Sequence, residues 1–210
     1  MSLFPADVVC LEVSPIPEAP PIHPNEAALV AGAVEGRKGE FATGRWLAAR
    51  AMRRLGVPSA PLLSGPHREP LWPSSVVGSI SHTNEYCVVV AAQANRYRSL
   101  GVDAEPFEPL EAELWPSICT PGELAWLRTR PSSDRGTLCR IIFSAKECFY
   151  KWQFPLTGAF LEFEDVEIRL DVEAGAFSVI SAAAIRSRLG ATPQGAFIVG
   201  DGRLLTGLSA

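Results

Sequence analysis

The chain has 210 residues, 47% of them hydrophobic and 20% charged, a composition typical of a folded globular protein with one large domain or two small ones. Its net charge of −4 excludes a generally basic nucleic-acid-binding protein. The longest smooth apolar run, residues 86–92, is too short to cross a membrane, and the proline-broken N-terminus lacks the basic residues of a signal or transit peptide, so we expect a cytoplasmic protein.

The first half of the chain predicts an extended segment, a helix and two strands. Residues 14–24 are rich in proline and are expected to be extended. The apolar period of residues 39–55 predicts a helix that ends before Gly56 and Pro58, with Arg45 at the edge of its apolar face. Beyond this helix we predict a loop at 58–75, a strand at 76–81, a tight turn at 82–84 and a strand at 85–92.

The second half predicts a strand, two helices and four further strands. Residues 120–123, Thr-Pro-Gly-Glu, form a capping box that opens a short helix, and Asp134 can cap a longer helix that runs to about Gln153. The predicted strands are 99–105, 165–171, 176–180, 195–200 and 203–209. Helices mixed with mostly adjacent strands indicate the α+β class rather than a wound parallel sheet.

Charge and cysteine are distributed unevenly. Seven basic residues and only one acid, Glu40, fall between residues 37 and 68, whereas acids outnumber bases by 15 to 10 from residue 99 onward. A cationic surface that faces carboxylates suits a phosphate-rich ligand held partly through a metal ion, although a solvated helix face would carry the same arginines. The five cysteines include no CxxC pair, which argues against a zinc site and predicts buried, reduced thiols in a reducing compartment.

Two carboxylates stand on one face of the predicted strand 99–105. Side-chain alternation places Asp103 and Glu105 together and turns Leu100, Val102 and Ala104 to the other face. Like charges at this spacing repel each other unless a cation or water separates them. The pair therefore fits either a metal-binding site or an exposed edge with two solvated acids.

The predicted long helix carries a polar stripe beside its apolar face. Arg140, Ser144, Glu147 and Lys151 follow one another at i, i+4, i+7 and i+11. Glu147 and Lys151 fit a surface ion pair of small value, but the stripe borders the apolar face, and this favours a functional site.

The segment 79–83, Ser-Ile-Ser-His-Thr, ends the first strand of the predicted hairpin. A catalytic Ser/His pair is not expected, since strand neighbours point to opposite faces and no triad pattern surrounds them. His82 fits either a turn hydrogen bond or a donor to a phosphate oxygen. Arg45 likewise fits either an ion pair or a ligand cleft.

Together these elements resemble one family, the Sfp-type 4′-phosphopantetheinyl transferases, particularly their actinobacterial and enterobactin-synthase-component-D-like branch. The matching segments follow the family's order and span most of the chain, while P-loop and dinucleotide-binding fingerprints are absent. They are RKGEFATGRWLAAR (37–50), REPLWP (68–73), VGSISHT (77–83), LGVDAEP (100–106) and FSAKECFYKWQFPLTG (143–158).

The resemblance implies an α+β fold of two similar α/β halves in a pseudo-twofold arrangement, residues 1–98 and 99–210, with coenzyme A in the cleft between them. Asp103, Glu105 and Glu147 match the family's metal ligands. Their hard oxygen atoms suit Mg²⁺, and Mn²⁺ is a second possibility.

The resemblance also implies a set of coenzyme A contacts. Arg37, Arg45 and His82 match positions that hold its 3′-phosphate and pyrophosphate, and Lys146 and Lys151 match lysines that neutralise the phosphates. Lys38, His67, Arg68 and Ser81 are further expected contacts. Related sequences often place a lysine in the loop 64–68, where this chain has none, so that phosphate contact is weaker here or passes to His67 or Arg68.

The implied reaction is attack by a carrier-protein serine on the β-phosphate of coenzyme A, with release of adenosine 3′,5′-bisphosphate. Glu147 is the expected base, directly or through water, and Lys151 is expected to act with it. The expected partners are apo acyl and peptidyl carrier proteins of fatty-acid, polyketide, nonribosomal peptide or siderophore synthesis. We expect a monomer that binds neither nucleic acid nor membrane.

Two other functions fit part of this sequence. A non-catalytic carrier-binding module is disfavoured because all three candidate metal carboxylates and Lys151 are present. A carboxylate–metal phosphohydrolase of another fold would explain Asp103 and Glu105 but not the other segments. The short, trimeric holo-acyl-carrier-protein synthase type is disfavoured by the length of the chain.

Overall fold

The structure is a computed structural model that describes residues 3–14, 20–58, 60–181, 185–189 and 193–210. Part of the proline-rich segment, residues 15–19, lies outside the described residues. The helices are α1 (Pro24–Ala27), α2 (Glu35–Arg54), α3 (Trp115–Ile118), α4 (Pro121–Arg128), α5 (Arg135–Thr157) and α6 (Arg186–Leu189).

Eight strands form two antiparallel sheets in the described part of the chain. They are β1 (Val9–Val13), β2 (Val76–His82), β3 (Cys87–Gln93), β4 (Leu100–Pro106), β5 (Glu167–Asp171), β6 (Ala176–Ser181), β7 (Gln194–Gly200) and β8 (Arg203–Ser209). The first sheet has the order β1-β3-β2, and the second has the order β4-β8-β7-β6-β5. All seven predicted strands are present within two residues of their expected bounds, and β1 was not predicted. The mixture of helices with antiparallel sheets confirms the α+β class.

Helix α2 packs on the first sheet and carries the basic residues. Leu47, Ala48 and Ala51 lie in a buried cluster with Val89 and Ala91 of β3. The helix ends where predicted, at Gly56 with φ +73°, but it starts four residues earlier than expected. Gly36 and Gly39, which are weak helix formers, are accommodated in a helix whose first turn holds an ion pair between Lys38 and Glu35 at 2.8 Å.

Helix α5 is the longest helix and packs on β4 and β8. Its buried residues include Ala145, Cys148, Phe149 and Trp152. It ends at Gly158 in the left-handed conformation (φ +64°), four residues beyond the predicted end, and Pro155 is accommodated in its last turn. Asp134 occupies the predicted cap position but makes no side-chain cap hydrogen bond, so that part of the prediction is wrong. The capping box of Thr120 and Glu123 is present, as predicted.

The free edges of the two sheets meet where β2 lies beside β4. The backbone N–H of Val102 donates to the Ser79 hydroxyl at 3.2 Å, and that of Ala104 donates to the Ser81 hydroxyl at 3.2 Å. Serine side chains therefore satisfy edge groups of β4 that would otherwise be buried without partners.

Strand β4 divides its side chains as the sequence predicted. Leu100, Val102 and Ala104 are buried in one cluster with residues of β3 and with Phe4. Its other face lies against α5. An added Cβ at Gly101 would lie 2.2 Å from the Cys148 carbonyl oxygen, so a residue without a side chain is required at this point of close approach. Among the described residues, no helix is long and apolar enough to cross a membrane.

The contact between Gly101 and α5 gives a direct test of the fold. Gly101→Ala should lower the free energy of unfolding by about 3 kcal/mol, because backbone rather than a movable side chain opposes the new methyl group. Gly39→Ala is the control, since nothing lies within 4 Å of its added Cβ. It should raise the free energy of unfolding by about 0.5–1 kcal/mol through helix propensity. Urea unfolding of both variants makes the comparison, and equal effects would contradict the close packing.

Candidate active site

Asp103 is the buried centre of the site, with only 3% of its surface exposed. Its Oδ1 accepts hydrogen bonds from the Ser81 hydroxyl at 2.9 Å and from the Lys151 ammonium at 2.6 Å. Its Oδ2 accepts from the Ser144 hydroxyl at 2.8 Å. Three donors from β2 and α5 thus hold one carboxylate of β4, which contradicts the interpretation of Asp103 as a solvated edge residue.

Ser81 joins these partners to one another. Its hydroxyl accepts from Lys151 at 3.0 Å and from the Ala104 backbone, and donates to Asp103. Ser81 was expected to contact coenzyme A. The structure instead engages its hydroxyl fully within the junction of the two sheets, because strand alternation turns it toward β4.

Glu105 lies on the same face of β4, two residues from Asp103. Its side chain is 20% exposed and pairs with Arg140 at 2.8 Å. Burial raises the pKa of Glu105 to about 7, with a further contribution from the charge of Asp103, against the opposing effect of Arg140. Near neutral pH, a proton and a positively charged partner therefore compete for the Glu105 carboxylate.

Glu147 and Lys151 lie one helical turn apart on α5 and line one cavity. Burial raises the pKa of Glu147, although Lys151 opposes the shift, and Glu147 makes no hydrogen bond with another described residue. Burial disfavours the charged form of Lys151, but attraction to Asp103 and the hydrogen bond to it prevail and raise the pKa of the ammonium. The surface i,i+4 ion pair is therefore not what forms, since Lys151 pairs with Asp103 instead.

The three predicted metal ligands are not assembled into a metal site. Within the described ranges, no group of three His, Cys, Asp or Glu side chains is close enough to hold a metal ion. Asp103 is occupied by Lys151 and two hydroxyls, and Glu105 by Arg140. The donors fit Mg²⁺ chemically, since all are carboxylate oxygens. Burial, with the charge of Asp103 as a smaller contribution, raises the pKa values of Glu105 and Glu147, and a bound cation would lower them. The assignment of Asp103, Glu105 and Glu147 as metal ligands stays a prediction.

A basic cavity of about 650 Å³ lies between α2, β2 and the loop after α2. Arg37, Arg45, Arg68 and His82 line it. Arg37 donates to Glu40 at 3.1 Å and to His82 Nε2 at 2.7 Å, and Glu40 lies 3.4 Å from His82 Nδ1. Burial lowers the pKa of His82, so the neutral ring carries its proton on Nδ1, which faces Glu40.

Arg45 is the most buried cation of this cavity. Its guanidinium donates to the Ser64 hydroxyl at 3.0 Å and stacks 4.3 Å from the Phe41 ring centre, but its buried Nε has no partner among the described residues. Burial lowers the pKa of Arg45 to about 10, and the charge of Arg37 contributes to the shift while Glu26 opposes it. Of the two roles left open for Arg45, the structure favours the cleft, because no carboxylate in the described part of the chain pairs with it and one of its buried donors has no partner there.

Glu147 and Lys151 line an aromatic cavity of about 280 Å³. His67, Tyr150 and Phe154 line it, with the His67 and Phe154 ring centres 5.3 Å apart and those of Tyr150 and Phe154 5.5 Å apart. Phe160 closes the aromatic cluster and is 67% exposed. The basic and aromatic cavities share Arg68, Pro70 and Ile80, so they form two ends of one cleft.

The remaining predicted residues divide between the cleft and other places. Arg68 lines both cavities, whereas His67 lines only the aromatic end. Lys38 pairs with Glu35 at 2.8 Å and does not line the basic cavity. A wider cavity of about 1120 Å³ around Trp126 and Arg169 contains none of the predicted site residues.

Lys146 lies outside the cleft, and its expected phosphate contact does not fit the structure. Its ammonium donates to Ile118 O at 2.8 Å, Phe163 O at 2.8 Å and Glu123 Oε2 at 2.7 Å, and its side chain is 1% exposed. The physical reason is helix geometry, because position 146 lies about 100° round the helix from Glu147 and about 140° from Lys151.

Several site residues were not given a role from the sequence. Glu40 lies three residues from Arg37 on one helix face, a spacing that predicts their contact. Tyr150 and Phe154 stand at i,i+4, which predicts their stacking but not the cavity they line. Glu123 was identified only as part of a capping box.

A buried carboxylate bonded to Lys151, and an aromatic cavity that Glu147 and Lys151 line beside a cationic cavity, suit transfer of a phosphate-bearing group. The family descriptions that match are "4'-phosphopantetheinyl transferase N-terminal domain" on residues 25–92 and "4'-phosphopantetheinyl transferase superfamily" on residues 99–193.

Named relatives agree with these matches. The chain is 34% identical to 4'-phosphopantetheinyl transferase Npt of Nocardia iowensis over 99% of its length and 98% of that relative. It is 37% identical to 4'-phosphopantetheinyl transferase Svp of Streptomyces mobaraensis over 90% of the chain and 78% of the relative. It is also 37% identical to enterobactin synthase component D of Salmonella typhi, over 55% and 47% respectively. The chain belongs to the 4′-phosphopantetheinyl transferase family, which confirms the resemblance carried by its sequence segments.

The raised pKa of Glu105 predicts an unusual pH dependence of stability. In the folded state Glu105 keeps its proton up to about pH 7, whereas the ordinary pKa of a glutamate is 4.5. The stability that this proton adds is therefore present at low pH and is lost as the pH rises through about 7. Between pH 5 and pH 8, in chelator, the difference in unfolding free energy between wild type and Glu105→Gln should change by about 2–3 kcal/mol.

Urea unfolding at both pH values measures this difference. Glu108→Gln, which changes an exposed glutamate nearby, is the control and should follow the wild-type profile. Parallel profiles for wild type and Glu105→Gln would show that Glu105 ionises normally.

Proposed function

We propose that the chain transfers the 4′-phosphopantetheine group of coenzyme A to a serine of an apo acyl or peptidyl carrier protein, with a divalent metal ion, and releases adenosine 3′,5′-bisphosphate. The observation that carries the proposal is that Lys151 and Glu147 line the aromatic cavity, which shares Arg68, Pro70 and Ile80 with the adjoining cationic cavity. Coenzyme A has the same division, with a phosphate-rich nucleotide joined through its pyrophosphate to an uncharged arm.

The basic end of the cleft supports binding of the nucleotide phosphates. Arg37, Arg45 and His82 line it, and the unpartnered Nε of Arg45 is a buried donor suited to an anion. A phosphate at Arg37 would replace Glu40 as the partner of its guanidinium, which leaves the arginine charge compensated in both states.

The aromatic end of the cleft supports binding of the pantetheine arm. Tyr150 and Phe154 give it stacked apolar walls, while Glu69 and the hydroxyl of Tyr150 supply polar groups suited to amides. An arm that leaves the pyrophosphate near Lys151 has this cavity as its nearest recess.

In the proposed reaction, the carrier serine oxygen forms a bond to the β-phosphorus while the bond from that phosphorus to the bridging pyrophosphate oxygen breaks. Glu147 takes the serine proton, directly or through water, and its raised pKa suits a base that works near neutral pH. Lys151, which holds Asp103 in the free protein, turns its charge toward the phosphoryl oxygens.

Asp103, Glu105 and Glu147 would hold the metal ion, for which Mg²⁺ is proposed and Mn²⁺ is a substitute. The ion would offset negative charge on the phosphates when bound. Asp103 could bind the metal ion only after Lys151 had moved away from it. The catalytic position of Lys151 would therefore depend on binding of the metal ion.

The proposal also covers the domain division, the oligomeric state, the cellular location and the pathway of the protein. A division into residues 1–98 and 99–210 with pseudo-twofold symmetry is supported by one long helix packed on an antiparallel sheet in each half. The proposal includes a monomer that acts on small molecules and carrier proteins rather than on nucleic acid or membrane. Five free cysteines support the cytoplasm. The name enterobactin synthase component D supports siderophore synthesis beside polyketide, nonribosomal peptide and fatty-acid synthesis as the pathway.

Intact-mass measurement tests the proposal directly. Incubation with coenzyme A, Mg²⁺ and an apo carrier protein should add one phosphopantetheine group to the carrier, and chelator or a Ser→Ala carrier should prevent the addition. Binding of the carrier without any mass change would favour a non-catalytic module. Release of adenosine bisphosphate without carrier would favour a phosphohydrolase.

Arg45 should recognise a phosphate of coenzyme A rather than stabilise the fold alone. Arg45→Ala is expected to raise the KM for coenzyme A by about 10- to 100-fold, the loss of one charge-assisted contact, and to raise that for 3′-dephospho-coenzyme A much less. Arg54→Ala, at an exposed arginine of the same helix, is the matched control and should change neither constant. Equal losses with both substrates would show that Arg45 does not bind the 3′-phosphate.

Glu147 and Lys151 should act on the chemical step. Glu147→Gln and Lys151→Ala are each expected to lower kcat at least about 100-fold with a smaller effect on coenzyme A affinity, because transition-state contacts show that pattern. Glu164→Gln, an exposed glutamate, should leave kcat unchanged. Steady-state kinetics with calorimetry for coenzyme A makes the separation. An unchanged kcat in either variant would remove that residue from the proposed mechanism.

A further inference from the structure

Lys146 and Glu123 form a buried ion pair behind the active site. Their side chains are 1% and 2% exposed, and the two charged groups lie 2.7 Å apart. All three protons of the Lys146 ammonium are used, by Glu123, Ile118 O and Phe163 O. No proton is left for a phosphate.

Glu123 connects this pair to the start of its own helix and to β5. Its Oε2 also accepts the Thr120 N–H at 2.7 Å, and its Oε1 accepts the Ile168 N–H at 2.7 Å. The pair therefore fastens α5 to the end of α3, the start of α4, the 3-10 turn at Phe163–Asp165 and β5. All of these contacts are 2.7–2.8 Å long, and all but the part-buried bond to Phe163 O are buried, so rotation of α5 about its axis would break several of them together.

The opposite flank of the same helix carries the reacting groups. Ser144, Glu147 and Lys151 lie within about 60° of one another round α5, and Lys146 lies about 100–140° away from Glu147 and Lys151. A group that prevents rotation of α5 on one flank fixes the aim of Glu147 and Lys151 on the other.

We infer that Lys146, held by Glu123, is a positioning residue for the transfer reaction: it sets the rotation of α5 and thereby the placement of Glu147 and Lys151. This inference rests on the proposed function, because its test measures the rate of the transfer reaction. It also assigns a role to the lysine of the segment FSAKECFYK that needs no contact with coenzyme A.

Lys146→Met tests the inference, since it keeps the methylene stem and removes the ammonium. Below its unfolding temperature, the variant should bind coenzyme A within about 2-fold of wild type but show kcat lowered about 10- to 100-fold, because small misplacement of reacting groups costs about this much. Val179→Ala, which removes methyl groups from the same core without touching the pair, is the control and should lose stability while keeping wild-type kcat.

The double variant Glu123→Gln, Lys146→Met removes the unpaired carboxylate that could unfold the single variant. It should fold and still show the lowered kcat. Wild-type kcat in either folded variant would overturn the inference in favour of a purely structural pair, and weakened coenzyme A binding at wild-type kcat would overturn it in favour of a phosphate contact. Absence of transfer by the wild-type protein would instead contradict the proposed function.

Discussion

The contact between the Ser81 hydroxyl and the Asp103 carboxylate is the interaction on which the rest of the site depends. It lies where the edge of a three-stranded sheet meets the edge of a five-stranded sheet, at a point that water does not reach. An ionised carboxylate is stable at such a place only with charge-assisted partners. Asp103 has three, and they come from β2 and from α5. The joint between the sheets and the reactive centre are consequently one structure.

This arrangement also affects the neighbouring carboxylates. Glu105 and Glu147 are partly buried near the charge of Asp103, and burial, with that charge as a smaller contribution, raises their pKa values. In the proposed reaction, a bound cation would lower these pKa values, and a phosphate-bearing ligand would supply the anion that draws Lys151 away from Asp103. One flank of helix α5 faces the cleft, and Lys146 fastens the other flank to the C-terminal core.

Sequence patterns predicted most of this fold for identifiable reasons. The strict alternation in 99–105 placed Leu100, Val102 and Ala104 in the core and Asp103 and Glu105 on the other face, as the structure has them. The start of α2 was missed because Gly36 and Gly39 are weak helix formers whose cost is offset by the rest of a long helix. β1 was missed because five residues beside a proline-rich segment give little pattern, and it is its pairing with β3 that defines it.

The candidate site was predicted less completely, for a physical reason that two residues illustrate. Lys146 and Lys151 are lysines five positions apart on one helix, and only the helix rotation decides which of them faces the cleft. Ser81 was assigned to the ligand because its motif matched, but a hydroxyl's partner depends on which sheet edge lies opposite, and this contact joins residues that are far apart in the chain. The two cavities arise from the same long-range packing, so the sequence indicated their residues without their division into a cationic and an aromatic end.

A double-mutant cycle on Ser81 and Asp103 tests the central claim most directly. The unfolding free energies of wild type, Ser81→Ala, Asp103→Asn and the double variant, measured by urea unfolding in chelator, give the energy that couples the two side chains. The account predicts a coupling of about 1–3 kcal/mol, since both residues belong to one buried network that joins the sheets. Additive losses within about 0.3–0.5 kcal/mol, the scatter of independent sites, would contradict it.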